Sequence, residues 1–144
     1  MKRALLSLLA LPLLASAASL DYRSLAEPAV MYDAPSSKAT PLFVVARYTP
    51  VEVVVVVQDW LKVRDASGGM AWIEKRVTTE SRTLLITAPR AQVLAQPDAS
   101  APLVFEAEKN VVLELVEAAP PGWAQVKHRS GQTGYVRAAQ VWGL

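Results

Sequence analysis

His128 is the single histidine of a 144-residue chain that contains no cysteine. Those two facts bound the chemistry the chain can do. A Ser-His-Asp relay has one possible base. That base lies in VKHRSG, among Lys127, Arg129 and Ser130, a run that reads as a strand entering a glycine turn and not as the surroundings of an activated nucleophile. Thiol catalysis is excluded without cysteine. A metal would find one imidazole, no thiolate, and carboxylates scattered among basic neighbours. Glu106 and Glu108 share one face of a strand and Asp33 stands among polar loop groups, but carboxylates so placed are ordinary on a wet strand face. No glycine-rich loop is present to cradle phosphate. The expectation is a non-catalytic chain that needs neither metal nor cofactor.

Aromatic side chains offer more. Successive side chains of a strand point to opposite faces. In WLKVR (60–64) this puts Leu61 and Val63 on one face and Trp60, Lys62 and Arg64 on the other. In WAQVK (123–127) it groups Trp123 with Gln125 and Lys127, leaving Ala124 and Val126 for the core. Across each hairpin, Ile73 and Val136 go inward, so Trp72 and Tyr135 share the outer face. A large ring on a polar face needs a partner. Either a proline-containing loop or the other half of the chain packs over it, or it floors a ligand groove. The groove reading nominates Trp60, Lys62, Trp72 and Pro35 in one half, and Trp123, Lys127, Tyr135 and Pro97 in the other. An extended peptide would lay its methylenes on the ring and bring a carboxylate to the ammonium group.

The two groups of residues correspond because the chain repeats. At one constant offset Trp60 falls on Trp123, Val63 on Val126, Ser67 on Ser130 and Gly68 on Gly131, while Arg64/Lys127, Trp72/Tyr135 and Ile73/Val136 match in type. Pro35 matches Pro97, PLF from Pro41 matches PLV from Pro102, and VEV from Val51 matches LEL from Leu113, with single-residue gaps in loops. This is the signature of a duplicated unit. The elements that must position the rings are strands: AVMY, LFVVARY, VEVVVVVQ, WLKVR and MAWIEKRV in the first unit, then QVLA, LVFEAE, VVLELVEA, WAQVKH and TGYVRA in the second. Each is punctuated by turn residues, with one helical turn expected at Ala138–Gln140. Five short strands in about 60 residues point to a small barrel. The run Val53–Val57 reads as a strand covered on both faces, the sister unit supplying part of the cover.

The first residues stand apart. Lys2 and Arg3 form a positive start, Ala4 to Leu14 an apolar stretch, and Ala15-Ser16-Ala17 a small-residue cleavage pattern, which together read as a secretory signal peptide over 1–17. The stretch is shorter than the roughly 20 residues a spanning helix requires, so no membrane anchor is expected in the mature chain. Without cysteine a lipid-modified terminus is excluded. Removing Lys2 and Arg3 from 15 basic residues leaves 13 against 13 acidic ones. A neutral mature chain without a basic stripe does not suit nucleic acid. Stability must come from apolar burial, for which a composition of 52% hydrophobic residues is sufficient material.

These landmarks resemble the bacterial SH3-like domains, in which a proline-containing loop precedes a Trp that opens a strand ending in an aliphatic-basic pair, followed by a glycine turn and an aromatic-aliphatic pair. Pro35, Trp60, Val63, Arg64, Gly68, Trp72 and Ile73 carry the pattern in the first unit. Pro97, Trp123, Val126, Lys127, Gly131, Gly134, Tyr135 and Val136 carry it in the second. Ala71 departs from the pattern, which has Gly before the second aromatic. The resemblance implies an all-β protein of two small SH3-like barrels in tandem, 20–79 and 82–144, packed against each other. It further implies a non-catalytic module in the periplasm or secreted, with an envelope peptide or protein as partner, including peptidoglycan. The alternative is a structural subunit of an envelope complex whose groove and outer faces are taken by other proteins.

Overall fold

The computed structural model describes residues 20–144. The expected signal peptide lies outside the described residues. Among the described residues no helix is long and apolar enough to cross a membrane.

Among the described residues every regular element except two 3-10 turns is a strand. The first half contains β1 (Asp21–Leu25), β2 (Ala29–Tyr32), β3 (Pro41–Val45), β4 (Pro50–Val57), β5 (Trp60–Arg64), β6 (Met70–Glu74) and β7 (Thr78–Thr79). The second contains β8 (Thr83–Ile86), β9 (Arg90–Leu94), β10 (Leu103–Glu108), β11 (Val112–Ala118), β12 (Trp123–Lys127), β13 (Thr133–Arg137) and β14 (Val141–Trp142). The 3-10 turns, Lys75–Val77 and Ala138–Gln140, precede β7 and β14. Each half forms one seven-stranded antiparallel sheet, ordered β3-β2-β6-β5-β4-β1-β7 and β10-β9-β13-β12-β11-β8-β14. The second order is the first with seven added to every strand, so the sequence repeat is a repeat of topology. Even the irregularities recur, with β4 shifting register between Val53 and Val55 and β11 between Leu115 and Glu117.

Alternation fixes the core in both halves. Leu61, Val63 and Ile73 are buried with Leu25, Met31 and Val51, while Ala124, Val126 and Val136 are buried with Leu84, Val93 and Leu113. Two strands per half escape a reading by pattern, β1 with β7 and β8 with β14. DYRSL shows no clean alternation because its Ser24 is buried, and Ser24 tolerates burial because its hydroxyl donates to the Ser81 carbonyl at 2.7 Å. Two-residue strands such as β7 carry too little pattern to register.

The valine run corrects one expectation. Val54 to Val57 are 41–56% exposed and not covered on either side by the sister half. The reason is strand length. β1 pairs with β4 only from Pro50 to Val53, and beyond the bulge β4 pairs with β5 alone, Val55–Val57 lying opposite Lys62–Trp60. β-Branched residues favour this extended ribbon without a core beneath it.

The halves meet elsewhere, through short-range polar and aromatic contacts. Thr83 Oγ1 donates to the Tyr48 carbonyl at 2.6 Å. The Tyr22 and Trp142 rings meet edge to face at 5.3 Å, with the Arg82 guanidinium 5.1 Å from the Tyr22 centroid. Gly143 (φ 114°) lies so close to its surroundings that a Cβ there would come within 2.9 Å of the Thr83 carbonyl oxygen and 3.4 Å of Pro50 Cβ.

Candidate functional site

On the outer face of the first sheet, four strands place one residue each in a row. Tyr32 of β2 stands opposite Trp72 of β6, Trp72 opposite Lys62 of β5, and Lys62 opposite Val55 of β4. Trp60 shares that face two residues before Lys62 and packs edge to face on Tyr32, with centroids 5.6 Å apart and planes at 81°. Trp60, Lys62 and Trp72 are all half-buried. The structure thus brings together the rings of Trp60 and Trp72 and the Lys62 ammonium group, and adds as a third ring Tyr32, which sequence reasoning passed over. The signal for Tyr32 was present, since alternation in AVMY puts it opposite the buried Ala29 and Met31. Its neighbours became visible only with the strand order.

Pro35 is exposed on the loop joining β2 to β3. That loop is closed by Asp33, whose Oδ1 accepts the Thr40 N–H at 3.0 Å and whose own N–H donates to the Thr40 carbonyl. Between the loop and Trp60 lies an open depression of about 780 Å³, bordered by Ser37, Asp59, Glu74 and Arg76. Arg76 is already engaged, by Glu74 at 2.6 Å and Glu27 at 3.3 Å. The depression is therefore mixed in charge, with the Trp60 ring as its large apolar element.

The second half does not repeat this arrangement. Trp123 is half-buried, but its cross-strand partner is Arg137, whose guanidinium lies 5.1 Å from the ring centroid. Tyr135 stands in the row Leu94, Tyr135, Gln125, Glu117, with no second aromatic ring in it. Pro97 is half-buried in a loop held by Asp98, whose carboxylate accepts the Ser100 N–H at 3.0 Å and its hydroxyl at 3.1 Å. Those two bonds, the backbone one first, hold the Asp98 carboxyl below its usual range. Lys127 is not beside Trp123. It sits at the far end of β12, in a cleft between the halves lined also by Arg47, Tyr48, Arg82, Glu114 and Arg129. Alternation had placed Lys127 on the correct face but could not say which end of the strand met which neighbour.

His128 has a local role. Its Nδ1 accepts the Ser130 N–H at 3.2 Å and lies 3.0 Å from Ser130 Oγ, just ahead of Gly131 at φ 92°. At the matching turn of the first half, Asp65 Oδ1 accepts the Ser67 N–H at 2.9 Å ahead of Gly68 at φ 89°. The imidazole thus does the turn-closing work of a carboxylate, and its ring packs 5.6 Å from that of Phe105. Glu106 is exposed and lies 3.6 Å from Arg90. No group of metal-ligating side chains is gathered among the described residues.

The sequence matches the family described as bacterial SH3 domain twice, over residues 26–80 and 87–143. Among solved structures it is similar to two proteins of Trichomonas vaginalis. With NlpC2 it shares 13% identity over 90% of this chain and 50% of that one, at a TM-score of 0.40. With NlpC1 it shares 16% over 94% and 51%, at 0.40. An NlpC/P60 family protein from Bacillus cereus is 17% identical over 84% of this chain and 55% of that one, at 0.37. The chain thus spans about half the length of each of these structures. No curated protein matches it.

Proposed function

The chain belongs to the bacterial SH3 domain family through both of its halves, and from that premise we propose that it is an exported, non-catalytic binding module that recognises a peptide of the cell envelope. Each seven-stranded sheet is taken as one SH3-like barrel, 20–79 and 82–144, because each buries a single core of its own. The signal-like start sends the chain to the periplasm or the medium after cleavage near Ala17.

The observation that carries the binding role is the outer face of the first half. Tyr32, Trp60 and Trp72 sit together on a polar surface, half-exposed, beside Lys62 and a depression under the Pro35 loop. Rigid rings with a polar rim supply contact area at small entropic cost, which suits an extended peptide of peptidoglycan or of a partner protein. Trp123, Tyr135 and Pro97 form a weaker counterpart, since Arg137 already covers Trp123 and Lys127 lies away from it in the cleft between the halves.

A second reading, a structural subunit of an envelope complex, is favoured by a different surface. Edge strand β3 exposes Leu42, Phe43 and Val44, the last at 71%, and the distal end of β4 exposes its valines. Exposed apolar edges are places where another chain can add.

Co-sedimentation with purified peptidoglycan separates the two. The peptide-binding reading expects the protein in the pellet and Trp60→Ala in the supernatant, the circular dichroism of the two being alike. A protein that stays in solution, or a variant that pellets equally well, overturns the aromatic site. Recovery of the chain in a stable complex from envelope extract, with no affinity for peptidoglycan, would favour the structural subunit.

A further inference from the structure

The cleft between the halves, about 450 Å³, holds a set of cations that the aromatic face does not use. Arg47 comes from the first half, Lys127 and Arg129 from the second, and Arg82, whose guanidinium already donates to the Gly143 carbonyl, from the start of the second. Elsewhere in the molecule Arg23, Arg64, Arg76 and Arg90 each lie against a carboxylate. Among the described residues none of the four cleft cations does; Lys38, Lys62, Lys75, Lys109 and Arg137 do not either, so what sets the cleft apart is that four such cations line one cavity. The contrast is sharpest between repeats. Glu52 and Arg64 stand opposite each other in the first sheet and close to 3.0 Å, whereas Glu114 and Lys127, in the same register of the second sheet, form no ion pair.

Tyr48 points the same way. It occupies a left-handed turn at φ 70°, a conformation that suits Gly or Asn and is strained for a bulky residue. The second half builds the identical turn with Asn110 at φ 72°, and both turns donate their N–H to the matching strand, to Leu25 O and Ile86 O. What Tyr48 adds over an asparagine is a ring in the cleft. Guanidinium groups of Arg47 and Arg129 lie 4.6 and 5.8 Å from its centroid, one from each half. The ring gathers two cations without consuming their charge, and Thr83, bonded to the Tyr48 carbonyl, fixes the halves on either side of it.

We propose that this cleft is a second binding site, specific for an acidic peptide segment whose carboxylates meet Arg47, Lys127 and Arg129 while its methylenes lie on Tyr48 and Val112. Guanidinium forks match carboxylates in geometry. The volume has room for a few residues of extended chain and falls within the range of ordinary ligand sites. A continuous phosphate polymer fits less well, because Glu114 in the wall repels an unbroken row of negative charge and the apolar wall residues offer it nothing. The site is built from both halves and is independent of the aromatic face.

The test is calorimetric titration of the purified protein with tetraglutamate at low ionic strength, with tetraglutamine and hexametaphosphate as comparisons, followed by amide and indole shifts in the isotopically labelled protein. Tetraglutamate should bind and weaken with salt, and tetraglutamine should not bind. The exposed variants Lys127→Gln and Arg129→Gln should each weaken binding by about three- to tenfold, and Glu114→Gln should tighten it by about as much, all three melting like the parent. Shifts should cluster around residues 47–48 and 127–129 and leave the Trp60 and Trp72 indoles unmoved. Absent binding at low salt, binding indifferent to all three substitutions, or shifts at the Trp60 indole would overturn the cleft without touching the aromatic site. Tighter binding of hexametaphosphate would replace the acidic peptide with a phosphate polymer.

Discussion

Gly134→Ala adds one methyl group at the point where β13 crosses closest to β9. The new Cβ would stand 2.6 Å from Val93 Cγ1 and 2.7 Å from the Leu94 carbonyl oxygen. Neither neighbour can yield easily. Val93 is fully buried, and the Leu94 carbonyl belongs to the backbone where β9 pairs with β13, Leu94 opposite Tyr135. Overpacking of this kind costs about 1–3 kcal/mol. For a folded body of about 125 residues, at about 2.1 cal/mol/K of unfolding entropy per residue, each kcal/mol lowers Tm by roughly 4 °C, so the variant should melt about 4–11 °C below the parent. The matching position of the first half is already alanine. Ala71 is buried at 3%, so Ala71→Gly removes a packed methyl and loosens the strand. It should therefore also cost about 1–2 kcal/mol and lower Tm by about 4–8 °C. Thermal unfolding followed by circular dichroism measures both. An unchanged or raised Tm for Gly134→Ala would mean that β9 and β13 do not approach as described, and would undo the explanation of why the two repeats differ here.

Thr83→Val keeps the shape of the side chain but strands the Tyr48 carbonyl at the junction. It should cost about 1–3 kcal/mol, and should split a single thermal transition into two if this contact couples the halves. Burial first, and then the nearby Glu52 carboxylate, raise the Tyr22 hydroxyl above its usual value of 10.0 against the pull of Arg82 and Arg64. A raised folded value means stability fully present below pH 10.0 and lost as pH rises through the folded value. Alkaline titration should thus lower Tm from about pH 10 upward, and Tyr22→Phe should remove that part of the decline. Intact-mass measurement of the exported product should give a chain beginning at Ala18, and a mass retaining Met1 to Ala17 would contradict export by cleavage.

The repeat and the core were legible in the sequence because both rest on local pattern. Period-two alternation identified Leu61, Val63 and Ile73 as inward, and a constant offset carried the same faces to Ala124, Val126 and Val136. What escaped depends on which elements end up adjacent. Composition marks Val53–Val57 as strand, yet only the end of β1 opposite Val53 determines that the rest of the run has no cover. Ser24 looks like a solvent residue until its hydroxyl finds a carbonyl across the junction. Lys127 is placed on its face by alternation and in the cleft by the packing of two halves. Tyr48 lies in a turn, where no periodicity applies and only comparison with Asn110 reveals the cost of its conformation.

The four tryptophans allow one measurement to address the binding role directly. Their indole N–H resonances can be followed separately during titration with soluble peptide fragments released from peptidoglycan. The proposed function requires the Trp60 and Trp72 signals to shift and saturate together, with Trp123 moving less beneath Arg137 and Trp142 still, held against Tyr22 in the junction. Four unmoved indoles at saturating peptide, or movement confined to Trp142, would contradict it.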